Sequence, residues 1–228
     1  MAARICVSIA PGDAFLLEKE ANSAFGLGAD YVEIRFDFLK PDSLQTALRA
    51  TRDIRDRAIF TLRSSHQGGR FVSSEQDRLQ WLRRLAEQRP MLLDVELDTL
   101  KRNDELTDFM ERERTRLLVS WHDFEKTPPK DRIADILSEM RQYSNYVKIV
   151  TTAECVEDAL RVLEMYDEID ADLHAIFFAM GQAGVISRIL CTIVGNAPFT
   201  YVGLEKVIAP GQLSIHQMKR LYDKMKCV

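Results

Sequence analysis

Cysteine is scarce: Cys6, Cys155, Cys191 and Cys227 lie far apart, with no Cys-x-x-Cys pair among them. That spacing excludes the paired-thiol patterns of zinc sites and redox motifs, so all four are read as reduced thiols, mostly buried packing residues. Charge of one sign is lacking too. The 31 basic residues are outnumbered by 35 acidic ones, a formal net charge of -4, which argues against a nucleic-acid footprint or a basic membrane-binding surface. No apolar run approaches the length of a membrane span, and MAARICVSIAPGD has neither a signal-peptide apolar region nor a cleavage site. A cytoplasmic protein that acts on a small molecule is the expectation. No low-complexity tract or linker divides the chain, and the charge run ERERTR reads as a solvated helix end.

What is present is a regular alternation. Eight short runs rich in β-branched and aromatic residues recur about every 28 residues: RICVSI, DYVEIRFD, AIFTLR, LLDVEL, RLLVSWHD, YVKIV, HAIFFAM and FTYVGL. Between them lie stretches with apolar residues at helical spacing, such as DAFLLEKEANSAFG, SLQTALRATRDI, SEQDRLQWLRRLAEQ, KDRIADILSEMRQY and AECVEDALRVLEMYDEI. Strands alternating with helices indicate an α/β protein with a parallel sheet. Eight such units in 228 residues fit a single-domain (β/α)8 TIM barrel spanning residues 1–228 better than an open doubly wound sheet. No G-x-G-x-x-G follows the first strand, which disfavours a dinucleotide site.

Successive strand residues face opposite ways, and here the two faces differ sharply. In the second run Val32, Ile34 and Phe36 oppose Tyr31, Glu33, Arg35 and Asp37; in the fourth, Leu93, Val95 and Leu97 oppose Asp94 and Glu96. Lys148 stands against Val147 and Ile149, Ser120 and His122 share one face, Thr61 goes with Arg63, and Cys6 with Ser8. Ionisable groups inside a fold must pair with one another, so these residues are expected to form a network. An internal network that only fixes strand register suits Arg35, Asp37 and Asp94 taken singly. The whole set, gathered toward the strand ends where barrel enzymes place their chemistry, points to a polar pocket.

Desolvation favours the neutral amine of a lysine, the form that attacks carbonyls, and the resulting iminium acidifies the neighbouring carbon. Lys148 is therefore the candidate nucleophile. His122, one strand earlier, is the candidate proton carrier, since an imidazole titrates at about pH 6.5; His66, His174 and His216 are left as structural or surface residues. Two loops read as lids or clamps: SSHQGGRF, made flexible by Gly68 and Gly69, and VIAPGQL, where Pro210-Gly211 suits a tight turn presenting Gln212. Gly68-Gly69 lacks the lysine and spacing of a phosphate-binding loop. Arg188 in GVISR is a candidate carboxylate anchor.

The motifs VEIRFD, FTLRSSHQGG, VSWHDFEKTP, VKIV, AMGQAGVISR and VIAPGQ, in that order, resemble type I 3-dehydroquinase over nearly the whole chain. The resemblance implies a hydro-lyase of the shikimate pathway of aromatic amino acid biosynthesis that dehydrates 3-dehydroquinate to 3-dehydroshikimate. It implies that Lys148 forms the imine, while His122 removes the adjacent proton and then protonates the leaving hydroxyl. It further implies that Glu33, Arg35 and Arg63 hold the ring hydroxyls, Arg188 and Gln212 hold the carboxylate, Ser8 lines the pocket and Met180 packs against the ring. It implies no metal or organic cofactor, and a homodimer. Two positions depart from the pattern: Gln67 stands where a glutamate is common, and Ile208 where a serine or threonine is common. Gln67 can hydrogen-bond but carries no charge, and Ile208 has no hydroxyl to donate. Another Schiff-base lyase or aldolase would keep Lys148 without needing the APGQ clamp; a catalytically inactive ligand-binding barrel would bind without trapping a carbonyl.

Overall fold

In the computed structural model the described residues are 3–205 and 208–225. Strand and helix alternate along the chain: β1 (Ile5–Ile9), α1 (Leu17–Gly26), β2 (Tyr31–Arg35), α2 (Leu44–Ala50), β3 (Ala58–Thr61), α3 (Glu75–Glu87), β4 (Leu92–Glu96), α4 (Leu97–Lys101) and α5 (Asp104–Arg112). Then come β5 (Leu117–His122), α6 (Lys130–Arg141), β6 (Tyr146–Thr152), α7 (Val156–Glu164), β7 (His174–Met180), α8 (Val185–Leu190), β8 (Thr200–Gly203) and α9 (Ile215–Met225). Each of the eight expected strand runs is a strand, and the fold class is the (β/α)8 expected from the alternation. Among the described residues no helix is long and apolar enough to cross a membrane.

The chain forms two compact units, one from Ser8 to Val119 and one from the residues up to Val7 with those from Ser120 onward. In the first, β2, β3 and β4 are parallel neighbours, with Glu33 beside Ile59, Arg35 beside Thr61, and Thr61 beside Asp94. Both faces of these strands are buried, which explains their near-continuous runs of β-branched and aromatic residues. Phe36 and Phe60 pack edge to face at 5.0 Å, and α1 contributes Leu17, Ala21 and Ala24 to the core. A capping box sets the start of α3: the Ser74 hydroxyl accepts from the Asp77 N–H, and the Asp77 carboxylate accepts from the Ser74 N–H.

In the second unit β6 and β7 are parallel over seven residues, placing Lys148 beside Ile176. The half-buried Tyr166 is fixed to β7, its hydroxyl accepting from the Phe177 N–H at 2.7 Å, and a Cβ at position 195 would lie 2.3 Å from its ring, which favours glycine there. Cys6 and Cys191 are buried, in keeping with packing roles, but Cys155 is exposed at the start of α7; Cys227 lies outside the described residues. The ERERTR run is the exposed end of α5 and the turn after it.

Candidate active site

In the Ser8–Val119 unit the polar strand residues pair with one another. Glu33 accepts hydrogen bonds from the Ser8 hydroxyl (2.7 Å) and the Thr61 hydroxyl (3.0 Å), so both its oxygens are held from neighbouring strands. Arg63 pairs with Asp94 at 2.8 Å and with Glu96 at 3.4 Å. Burial alone would pull the Arg63 guanidinium down, but Asp94 and Glu96 outweigh it and hold the group above its ordinary range. Glu96 is likewise held below the usual carboxylate value: burial opposes this, and the charges of Arg63 and Arg78 overcome it.

Arg78 is the member of this network that strand alternation cannot show, because it comes from α3. It donates to Glu96 (3.0 Å), Thr99 (2.7 Å), Glu75 (2.6 Å) and the Leu62 carbonyl (3.2 Å). Its sequence signal is a charged residue at the apolar-face spacing of Leu82, Leu85 and Ala86 on that helix.

Arg35 and Asp37 meet differently from the expectation of one shared strand face. The strand ends at Arg35 and a 3-10 turn over Phe36–Phe38 brings Asp37 back, so that Arg35 grips both its oxygens at 2.8 Å. The Asp37 carboxylate also accepts from the Arg70 N–H at 3.1 Å, and the Phe38 ring carries the guanidinium of Arg35 at 5.0 Å and that of Arg70 at 4.5 Å. Gly68 is left-handed (φ 74°), and a Cβ on Gly69 would lie 2.0 Å from the Arg63 carbonyl oxygen. The glycines expected to lend flexibility thus serve a hydrogen-bonded turn pressed onto the strand end. The side-chain oxygen of Gln67 in that turn is buried and has no hydrogen-bond partner among the described residues.

The second unit holds the remaining candidates. Lys148 is only 4% exposed, and its Nζ lies 4.7 Å from the centre of the Tyr201 ring. His122 ends β5, half-buried, with its imidazole stacked on Phe124 at 5.7 Å and 12°. The segment after it is tied to β6, since the Asp123 N–H donates to the Val150 carbonyl and the Thr152 hydroxyl to the Asp123 carbonyl. Met180 ends β7, buried. The other histidines are exposed.

Arg188, on α8, is 2% exposed. Its guanidinium lies over the Phe178 ring at 4.2 Å and donates to the Pro210 carbonyl at 3.4 Å, and its Nε has no hydrogen-bond partner among the described residues. No carboxylate pairs with it among the described residues, and burial pushes it down to about 10. The turn that follows reaches back to the same region. Gly211 is left-handed (φ +70°) and so close to Gly181 that a Cβ would lie 2.3 Å from the Gly181 carbonyl oxygen. Gln212, presented by that turn, accepts from the Ile208 N–H at 2.9 Å. Ile208 thus contributes through its backbone, whatever its side chain lacks; Val207 of the VIAPGQL stretch lies outside the described residues. No group of three or more metal-ligating side chains occurs among the described residues.

The sequence matches the profile of type I 3-dehydroquinase over residues 5–227. The chain belongs to the type I 3-dehydroquinase family. Among relatives called 3-dehydroquinate dehydratase, that of Methanopyrus kandleri is 34% identical over 86% of this chain and 87% of its own length. That of Thermococcus gammatolerans is 35% identical over 85% and 86%. The solved type I 3-dehydroquinate dehydratase of Clostridium difficile, determined with covalent modified comenic acid, superposes with a TM-score of 0.87 at 28% identity, covering 100% of this chain and 94% of that one. The Geobacillus kaustophilus structure, at 23% identity and TM-score 0.88 over 99% and 91% of the two chains, carries the same fold. Membership of the type I 3-dehydroquinase family makes the chain an enzyme of the hydro-lyase class.

Proposed function

We propose that this chain, acting as one catalytic domain over 1–228, dehydrates 3-dehydroquinate to 3-dehydroshikimate in the shikimate pathway through an imine on Lys148. One observation carries the reading beyond family membership. A buried lysine amine and a buried arginine without a carboxylate partner among the described residues lie in the same unit, each against an aromatic ring of the β7–β8 region. An amine that can lose its proton is a receptor for a ketone, and an uncompensated guanidinium is a receptor for a carboxylate. Together they fit a keto acid.

The chemistry follows from these groups. The neutral Lys148 amine adds to the ring ketone, and the carbonyl oxygen departs as water, leaving a cationic iminium. His122 takes a proton from the carbon beside it, the electron pair moves into the ring as an enamine, and expulsion of the neighbouring hydroxyl is completed by a proton returned from His122. Hydrolysis of the imine restores Lys148. Arg188 and Gln212 hold the carboxylate, Met180 packs against the ring, and Glu33, Arg35 and Arg63, each already oriented by fixed partners, hold ring hydroxyls with Ser8 beside Glu33. The substrate is a small molecule, no cofactor enters the scheme, and a homodimer is the assembly proposed from the family resemblance.

The deciding experiment is borohydride reduction of the protein in the presence of 3-dehydroquinate, followed by peptide mapping. A stable adduct on the peptide containing Lys148 is expected; unmodified protein that nonetheless turns over substrate would refute the imine. Arg188 supplies a separate check. Losing a charged hydrogen bond costs about 1.5–3 kcal/mol, so Arg188→Met should raise KM roughly 10- to 100-fold. Because an unpaired buried charge is replaced by an apolar chain of comparable length, the melting temperature of the free protein should hold or rise. A fall in melting temperature with KM intact would assign Arg188 to the scaffold.

A further inference from the structure

We infer that Tyr201 is a positioning residue for the reaction, its ring face lying against the Lys148 nitrogen and stabilising it as the iminium once the ketone is bound. This rests on the imine reading of Lys148. Three observations support it. The nitrogen is 4.7 Å from the ring centre, inside the range of about 6 Å over which a cation is attracted by an aromatic face. Tyr201 is buried, so water does not weaken that attraction. The ring is also fixed from the side: Phe199 meets it edge to face at 5.5 Å and 75°, and Phe178 packs tilted against it at 6.2 Å.

The chemistry makes a ring face suited to this position. It attracts a cation without adding to the substrate carbon, so it does not compete with the amine for the ketone. The iminium formed afterwards is a cation that the same face stabilises over the neutral carbinolamine before it. Phe178 carries Arg188 on its own face at 4.2 Å. The aromatic pair therefore sets the two receptors, for ketone and for carboxylate, in a fixed relation to each other.

The test replaces Tyr201 by phenylalanine, by phenylalanines bearing one, two and three ring fluorines, and by leucine. Fluorine withdraws charge from the ring face while keeping its shape, so a merely structural ring would be indifferent to it. Kinetics and the borohydride-trapped fraction of Lys148 at saturating 3-dehydroquinate are read for each, with wild type alongside. Tyr201→Phe should stay within about twofold of wild type, the fluorinated series should fall stepwise in kcat and trapped fraction to about tenfold, and Tyr201→Leu should fall at least as far. A flat fluorine series overturns the inference, and so does a Tyr201→Phe loss as large as that of leucine, which would assign the effect to the hydroxyl. Should leucine fail to fold, the fluorine series alone decides. Wild type that turns over without any trapped Lys148 overturns the imine reading itself, an outcome distinct from a trapped wild type with an indifferent ring.

Discussion

Lys148→Ala should abolish both turnover and borohydride trapping, with a loss of roughly 10⁴-fold or more in kcat, whereas His122→Ala should lose about 10²–10⁴-fold in kcat while still forming the adduct. The split follows from where each group acts. Without the amine no covalent electron sink exists, and neither acid-base catalysis nor binding can replace it. Without the imidazole the iminium still forms, but the proton beside it has no carrier. His122 is half-buried and stacked on Phe124, so the melting temperature of its variant is measured as well. For Lys148, buried between Val147 and Ile149 in β6, the melting temperature of the variant is measured alongside. Formation of the enone product is followed by its absorbance, and adducts by mass. Turnover surviving in Lys148→Ala would refute the mechanism; loss of trapping in His122→Ala would move the histidine to the imine-forming step.

The strands were legible because burial on both faces forces β-branched and aromatic residues into short runs, and this signal survives even in four-residue β3 and β8. The shortest helix was not: α4 has five residues, under two turns, so a 3.6-residue period has no room to repeat. Within the site, alternation put Ser8, Glu33, Thr61, Arg63 and Asp94 in the polar sets expected to form a network, while the pairs they make, Glu33 with Ser8 and Thr61 and Arg63 with Asp94, show only in the contacts. It misplaced the origin of the Arg35–Asp37 pair, which is made by a turn after the strand has ended. Arg78 and Tyr201 escaped for another reason: one reaches the network from a helix, and the other meets Lys148 through side-chain direction, which residue spacing does not encode. The motif pattern that resembles the family supplied the roles; the contacts show what holds several of those side chains in place.

The same network sets the second large effect. Glu96→Ala should destabilise the protein by about 3–5 kcal/mol, the cost of removing the shared carboxylate from a buried charge network, which lowers the melting temperature by on the order of 10 °C. Glu96 joins Arg63 to Arg78 and accepts from the Ser64 N–H at 2.9 Å, so its loss takes one carboxylate from each of two buried guanidinium groups, leaving Asp94 and Glu75 to them, and frees the start of the 65–70 turn. Glu96→Gln separates the contributions: the amide oxygen can still accept from Ser64, but the charge between the arginines is gone. The pH dependence gives an independent reading. Because the folded protein holds Glu96 below its ordinary value, its contribution is complete above about pH 4.3, where an unfolded glutamate is ionised. It is lost as pH falls through the lower folded value. The stability difference between wild type and Glu96→Gln should therefore be largest near neutrality and shrink on acidification, with denaturant midpoints converging. Curves that stay parallel down to acid pH would mean that the charge of Glu96 contributes nothing and that the carboxylate acts only as a hydrogen-bond acceptor for the turn.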